Sequence, residues 1–97
     1  MTIEEIAEKV ADIWMGMIQN SVYNVRNTNP QCITPSQETI DEFKEDLLKK
    51  LIDERPRSLF YYSFVGLKGY EDVSRYLPWK TQTSTIIDWR TGKIKMR

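Results

Sequence analysis

The chain contains no histidine, and Cys32 is the single cysteine among its 97 residues. Without histidine it lacks the commonest general base, the base of a serine triad and the partner that activates a cysteine nucleophile. One cysteine and no histidine also disfavour a zinc site and exclude an internal disulfide. We therefore expect a non-catalytic protein without metal or cofactor, in which Cys32 is an incidental thiol.

Long apolar runs are also missing. The longest nearly apolar run, Leu59–Leu67, is far shorter than the ~20 residues that a membrane-spanning helix needs. Residues 1–8 are acidic, whereas a secretory signal peptide begins with basic residues. With the lone cysteine, these features favour a cytoplasmic protein that does not engage membranes. The length predicts a single compact domain over residues 1–97.

Charge is distributed unevenly along this chain. Residues 1–54, the acidic half, contain 11 acidic and 5 basic residues and sum to −6. Residues 55–97, the basic half, contain 3 acidic and 9 basic residues and sum to +6. Three aromatic residues lie in the acidic half and eight in the basic half. The split indicates either two surfaces for different partners or two halves that neutralise each other inside one fold.

Two long amphipathic helices are predicted in the acidic half. The first spans residues 3–22, where apolar residues recur every three or four positions. Thr2 and Glu5 have the spacing of a capping box at its start. Residues 26–34 contain turn-forming asparagines and a proline and are predicted to be a loop.

The second helix is predicted from Pro35 to Glu54. Thr34 is expected to be its N-cap, Pro35 takes the first helical position and Pro56 ends it. Acidic residues follow the outer faces of both helices, and this surface either docks on a basic partner or is simply solvated, which is the simpler interpretation. These residues are Glu4, Glu5, Glu8, Asp12, Glu42, Asp46 and Asp53.

Shorter elements are predicted in the basic half. Residues 59–65 fit a third strand or a short buried helix, and their aromatic content favours the strand. Because this run is uncharged and free of proline, we expect it to be buried in the fold or in an oligomer interface. A short third helix is predicted from Tyr70 to Leu77, with Tyr70, Val73 and Leu77 facing inward.

The C-terminal residues predict an antiparallel β-hairpin whose strands, 85–87 and 94–96, flank a turn. Asp88 is expected to cap amides of that turn, and Gly92 to take positive φ at its exit. Pairing Ile87 with Ile94 separates an apolar face from a basic one, because side chains two apart point the same way. The basic face carries Lys93, Lys95 and Arg97. The predicted fold class is therefore α+β: two long helices, a short third helix and this hairpin.

The hairpin supplies most of the predicted partner-binding residues. Trp89 lies in the turn, where it is either an exposed anchor for a partner or packed back onto the hairpin, and the sequence favours neither. Trp79, which follows Pro78, is a weaker candidate of the same kind. The full set of candidates is Trp89, Arg90, Lys93, Lys95, Arg97 and Trp79.

The alternative is a nucleic-acid-binding module in the basic half. In order alone, the short helix and basic hairpin are similar to the recognition helix and wing of winged-helix DNA binders, with residues 73–77 as the recognition segment. The phosphate-binding candidates are Arg75, Lys80, Arg90, Lys93 and Lys95. However, the pI of 6.3 is low for such a binder, and lysines on a terminal strand also discourage edge-to-edge association.

The favoured function is binding of another macromolecule, most simply a protein or a second copy of the chain. Small adaptor, accessory or inhibitor proteins of bacteria and their viruses share this size and this lack of chemistry. No motif for a small-molecule substrate is evident. The Thr91-Gly92-Lys93 triplet lacks the glycine that a phosphate loop has five residues before Gly92.

Overall fold

The computed structural model describes residues 1–77 and 84–97, and its architecture confirms the α+β class. Within those ranges there are three α-helices, two short 3₁₀ helices and one three-stranded antiparallel sheet. The α-helices are α1 (Ile3–Thr28), α2 (Gln37–Glu54) and α3 (Tyr70–Val73). The 3₁₀ helices are Tyr61–Phe64 and Ser74–Tyr76. The strands are β1 (Ser58–Leu59), β2 (Thr85–Asp88) and β3 (Lys93–Met96).

Helix α1 begins as predicted and ends later. In its capping box the Glu5 amide donates to Thr2 Oγ1 over 3.1 Å, and the Thr2 amide donates to Glu5 Oε1 over 3.2 Å. The helix continues to Thr28, so the start of the predicted loop at residues 26–28 is wrong. The reason is tertiary: Arg26 in the last turn donates to the Thr34 hydroxyl and the Pro35 carbonyl, which ties this turn to the segment before α2.

Helix α2 begins at Gln37, so the predicted cap at Thr34 is wrong by two residues. Ser36 is the N-cap, and its hydroxyl accepts a hydrogen bond from the Thr39 amide over 3.1 Å. Pro35 lies before the helix and is buried. The predicted end at Glu54 is confirmed, and Arg55 closes the helix in the left-handed conformation with φ of 45°.

The core lies between α1, α2 and the basic half. Trp14 of α1 and Phe43 of α2 are almost completely buried, and Phe64 of the first 3₁₀ helix contacts both. The ring centroids of Phe64 and Trp14 are 4.7 Å apart, and those of Phe64 and Phe43 are 5.8 Å apart. Phe64 therefore joins the two halves of the chain at the centre of the fold.

The segment between α2 and α3 combines the two structures that the sequence left open. Only Ser58–Leu59 forms a strand, and Tyr61–Phe64 then turns into a 3₁₀ helix. The predicted third helix is also shorter, because the α-helix stops at Val73 and continues as 3₁₀ to Tyr76. Val73 and Leu77 are buried as predicted, whereas Tyr70 is half-buried.

The sheet has the order β1-β2-β3, so β3 is an edge strand. Its hairpin register is the predicted one: Ile87 pairs with Ile94. Thr85 and Ile87 are buried and Ile94 is half-buried, which makes this the inner face. Two predicted candidates, Trp79 and Lys80, lie outside the described residues.

Candidate partner-binding surfaces

The hairpin turn is held by one carboxylate and one glycine. Asp88 Oδ1 accepts from the amides of Arg90 over 3.0 Å and Thr91 over 3.4 Å, as predicted. These bonds, first that from Arg90, hold the pKa of Asp88 below its usual value. Gly92 has φ of +81°, and a Cβ there would press against Met1 at the start of the chain. The turn therefore sits directly against the N-terminal end of the chain.

Trp89 packs against the protein rather than standing free in the turn. Its ring is half-buried against the core cluster, and its indole Nε1–H donates to the Pro56 carbonyl oxygen over 2.8 Å. This packing differs from the packing onto the hairpin that the sequence suggested, because the hydrogen bond runs to Pro56 outside the hairpin, and a role of Trp89 as a partner anchor stays a prediction. Pro56 is 33 positions away, so no local pattern marks this hydrogen bond.

The basic face of β3 is exposed as predicted. Lys93, Lys95 and Arg97 share it, and Arg90 is exposed in the adjoining turn. Within residues 1–77 and 84–97, none of these four side chains forms an ion pair. The structure thus brings four of the candidate cations onto one hairpin.

The proposed recognition segment at residues 73–77 does not have the required exposure. Val73, Tyr76 and Leu77 are buried, which disfavours entry of this stretch into a nucleic-acid groove as a recognition helix. Arg75 is exposed and lines an open cleft of about 510 Å³ together with Glu71 and Asp72. Two carboxylates line this cleft with Arg75, which disfavours phosphate there, and nucleic-acid binding through residues 73–77 stays a prediction.

The two charged halves meet at the turn before α3. The Lys68 amide donates to Asp46 over 2.8 Å, and its ammonium lies 3.5 Å from a Glu42 oxygen. Other ion pairs lie inside the acidic half, between Lys44 and Asp12 and between Lys50 and Glu54. Part of the predicted acidic outer face, Glu42 and Asp46, is therefore engaged by the basic half rather than left for a partner.

Three apolar side chains stand exposed after β1, and we call Phe60, Tyr62 and Val65 the aromatic corner. Their exposed fractions are 41%, 70% and 60%. The rings of Phe60 and Tyr62 meet edge-to-face with centroids 6.0 Å apart. Leu59 and Phe64, between them in sequence, are fully buried and fix the segment to the core.

The aromatic corner was not found from the sequence, where burial of residues 59–65 within the fold or an oligomer interface was expected. In the structure, only some side chains of residues 59–65 are buried. The apolar character of this run is itself a sequence signal. A short segment cannot turn every side chain toward the core, so some of its apolar side chains must be exposed. What the run lacks is a charged residue to mark the outward face, and its one serine, Ser63, caps the 3₁₀ helix instead.

Behind the corner, two tyrosines contact one another. The ring centroids of Tyr61 and Tyr70 are 5.9 Å apart. Burial and the hydrogen bond with Tyr61 raise the pKa of Tyr70 to about 12. The raised pKa favours the neutral phenol, which can donate a hydrogen bond within this contact.

Other chemistry-bearing groups are dispersed. Cys32 is exposed as a free thiol in the cleft that Arg75 also lines. Across residues 1–77 and 84–97, no three cysteine, aspartate or glutamate side chains are grouped to hold a metal ion. In the same part of the chain, no helix has the length and apolar character needed to cross a membrane.

Comparisons with protein-family models, with curated proteins and with solved structures gave no match to this chain.

Proposed function

We propose that this is a non-catalytic protein that works by binding another protein, as an adaptor, accessory or inhibitor. The observation that carries the proposal is the aromatic corner, where the exposed rings of Phe60 and Tyr62 meet edge-to-face and Val65, three residues further along, is also exposed. Aromatic residues are enriched in protein interfaces and supply much of their binding energy. An exposed group of this kind is costly in water unless a partner covers it.

The corner is also rigid, which favours binding. Phe64 is locked between Trp14 and Phe43, and Leu59 is fully buried beside the sheet. The Phe60 amide donates to the Ser63 hydroxyl over 3.3 Å, which closes the first turn of the 3₁₀ helix. Because this backbone is fixed before binding, association costs little conformational entropy.

A cytoplasmic location is part of this proposal. The supporting observation is Cys32, whose thiol is exposed and unpaired. A reducing compartment keeps such a thiol free, whereas an oxidising one favours its pairing.

The test is site-specific photo-crosslinking in an extract of cells that make the protein naturally. A photoreactive phenylalanine analogue replaces Tyr62 in one sample and Tyr23 of α1 in the other. Tyr23 is a matched control because it is also a tyrosine and is 63% exposed. We expect a discrete protein adduct from position 62 only, and a self-adduct with purified protein would identify the partner as a second copy.

The crosslink is then tested with substitutions. Phe60→Ser should remove the adduct by taking away its neighbouring ring, whereas Ile33→Ser, at another exposed apolar residue, should leave it unchanged. Equal labelling from positions 62 and 23, or an adduct that survives Phe60→Ser, would contradict binding through the aromatic corner.

We propose nucleic-acid binding as the second candidate, because Lys93, Lys95 and Arg97 share an exposed face of β3. The test is titration of labelled duplex DNA and RNA at low salt, where phosphate contacts are strongest. The candidate requires binding that weakens steeply with salt and is lost in Lys93→Glu. Affinity no better than that of an unrelated neutral protein would contradict it.

A further inference from the structure

Among residues 1–77 and 84–97, the outer edge of β3 has no backbone partner, and the positions of its outward backbone groups follow from the hairpin register. The Ser84 amide donates to the Arg97 carbonyl over 3.2 Å, and the Arg97 amide donates back to Ser84 over 2.8 Å. In an antiparallel ladder such doubly bonded pairs alternate with non-bonded pairs. Lys95 and Lys93 therefore turn their backbone groups toward β2, and Ile94 and Met96 turn theirs away.

The other side of β2 agrees with this assignment. The Ile87 amide donates to the Arg57 carbonyl over 2.8 Å, so the backbone groups of Ile87 face β1 and not its partner Ile94. The free edge of β3 consequently offers two amide donors and two carbonyl acceptors, from Ile94 and Met96. Such an edge is a template for one more strand.

Side chains restrict what that strand can be. One face of the edge carries the exposed cations Lys93, Lys95 and Arg97. The other carries Ile94, which is half-buried, and Met96, which is 36% exposed. An open cleft of about 570 Å³ borders Ile94 and is lined by Lys9 of α1 and by Asp88, whose opposite charges offset each other there.

We propose that the free edge of β3 binds an extended acidic segment of a partner protein as a fourth strand. Carboxylates at every second position meet Lys93, Lys95 and Arg97, and the intervening apolar residues cover Ile94 and Met96. Pairing with β3 of a second copy would set lysines against lysines, which is destabilising. The lysines thus disfavour pairing with another basic strand and favour pairing with an acidic one.

This inference does not depend on the aromatic corner. Phe60 directly follows β1, which lies at the opposite edge of the sheet from β3. The two surfaces are therefore separate, and each can fail without the other.

The probe is a fluorescein-labelled ten-residue peptide of alternating glutamate and valine, measured by anisotropy at low salt against the full chain. A peptide of the same composition with its glutamates in one block is the sequence control. We expect the alternating peptide to bind at least about tenfold more tightly than the block peptide, because only it can satisfy both faces of the edge. In amide NMR spectra, Ile94 and Met96 should shift most.

Two substitutions separate backbone pairing from charge. Met96→Pro removes an outward amide and leaves the backbone bonds to β2, although it also removes the hydrogen bond from the Thr85 hydroxyl to Met96 Sδ, and it should weaken binding about tenfold. Lys95→Glu places a carboxylate opposite a glutamate of the peptide and should weaken binding by a similar factor. Lys49→Glu on α2 makes the same change of net charge and should alter affinity less than about twofold. Thermal unfolding establishes that each variant is folded.

Several outcomes overturn the proposal. One is equal binding of the alternating and block peptides, and another is Met96→Pro at full affinity. A third is duplex DNA that binds tightly, loses affinity with Lys95→Glu and ignores Met96→Pro, since this assigns the lysines to phosphate. Because Phe60→Ser should leave peptide binding unchanged, failure at this edge and failure at the aromatic corner are distinguishable.

Discussion

The acidic and basic halves of this protein are built in different ways. In the acidic half, α1 and α2 have 26 and 18 residues and bury long apolar stripes. In the described part of the basic half, no helix or strand exceeds four residues. Such short elements have little stability of their own, so their positions depend on contacts with the long helices.

Those contacts join the two halves. Phe64 inserts between Trp14 and Phe43, and the Lys68 amide donates to Asp46 of α2. The acidic half therefore acts as a scaffold, and the basic half presents both proposed binding surfaces on it. In this arrangement, the rigid helices of one half hold the exposed groups of the other half in position.

The largest expected effect tests the attachment of the basic half to this scaffold. Phe64→Ala removes the ring that contacts both long helices and should lower the free energy of unfolding by about 3–5 kcal/mol. Tyr62→Ala, in the same 3₁₀ helix but 70% exposed, should change it by less than about 0.5 kcal/mol. Denaturant unfolding measures both. A similar loss for the two variants would mean that the segment is not anchored through Phe64.

Sequence patterns captured the features whose causes are local. The Thr2–Glu5 capping box, the end of α2 at Glu54 and the pairing of Ile87 with Ile94 were all predicted, because each depends on residues near in sequence or on simple alternation. The cap of α2 was misplaced because Thr34 and Ser36 both fit an N-cap. A contact from Arg26 decides between them, since it holds Thr34 and Pro35 outside the helix.

The aromatic corner and the environment of Trp89 depend on distant contacts. No residue between Phe60 and Val65 marks which side chains face water, and packing of Phe64 onto Trp14 decides it. The Trp89 indole donates its hydrogen bond to the Pro56 carbonyl. Pro56 lies outside the hairpin, so the hairpin pattern does not predict this contact. The basic side of β3 was predicted, because alternation alone places its lysines.

The next effect concerns whether Trp89 belongs to the scaffold contacts or to the binding surface. Trp89→Phe removes the hydrogen bond to the Pro56 carbonyl and should cost about 1 kcal/mol of stability. Trp89→Ala also loses the half-buried ring and should cost about 2 kcal/mol. Thermal and denaturant unfolding give both values. A Trp89→Ala variant as stable as the original would instead support the anchor interpretation, in which the ring awaits a partner.

The smallest effect compares one capping carboxylate in each half. Amide hydrogen bonds lower the pKa of Glu5, through Thr2, and of Asp88, through Arg90. A carboxyl group with a lowered folded-state pKa stabilises the fold above its unfolded-state pKa, and this contribution disappears as pH falls through the folded-state value. Glu5→Gln and Asp88→Asn should therefore be less stable than the original protein at pH 7 and approach it in acid.

Unfolding free energies measured from pH 7 down to about 2 test this, since the window lies below the ordinary carboxyl values. Asp53→Asn is the control, because Asp53 accepts no hydrogen bond within residues 1–77 and 84–97. Its difference from the original protein should vary less with pH than that of the two capping variants. If Asp88→Asn alone lacked the pH dependence, the hairpin turn would be held by its contact with Met1 rather than by its own carboxylate. The basic half would then depend on the rest of the chain even in its most local feature.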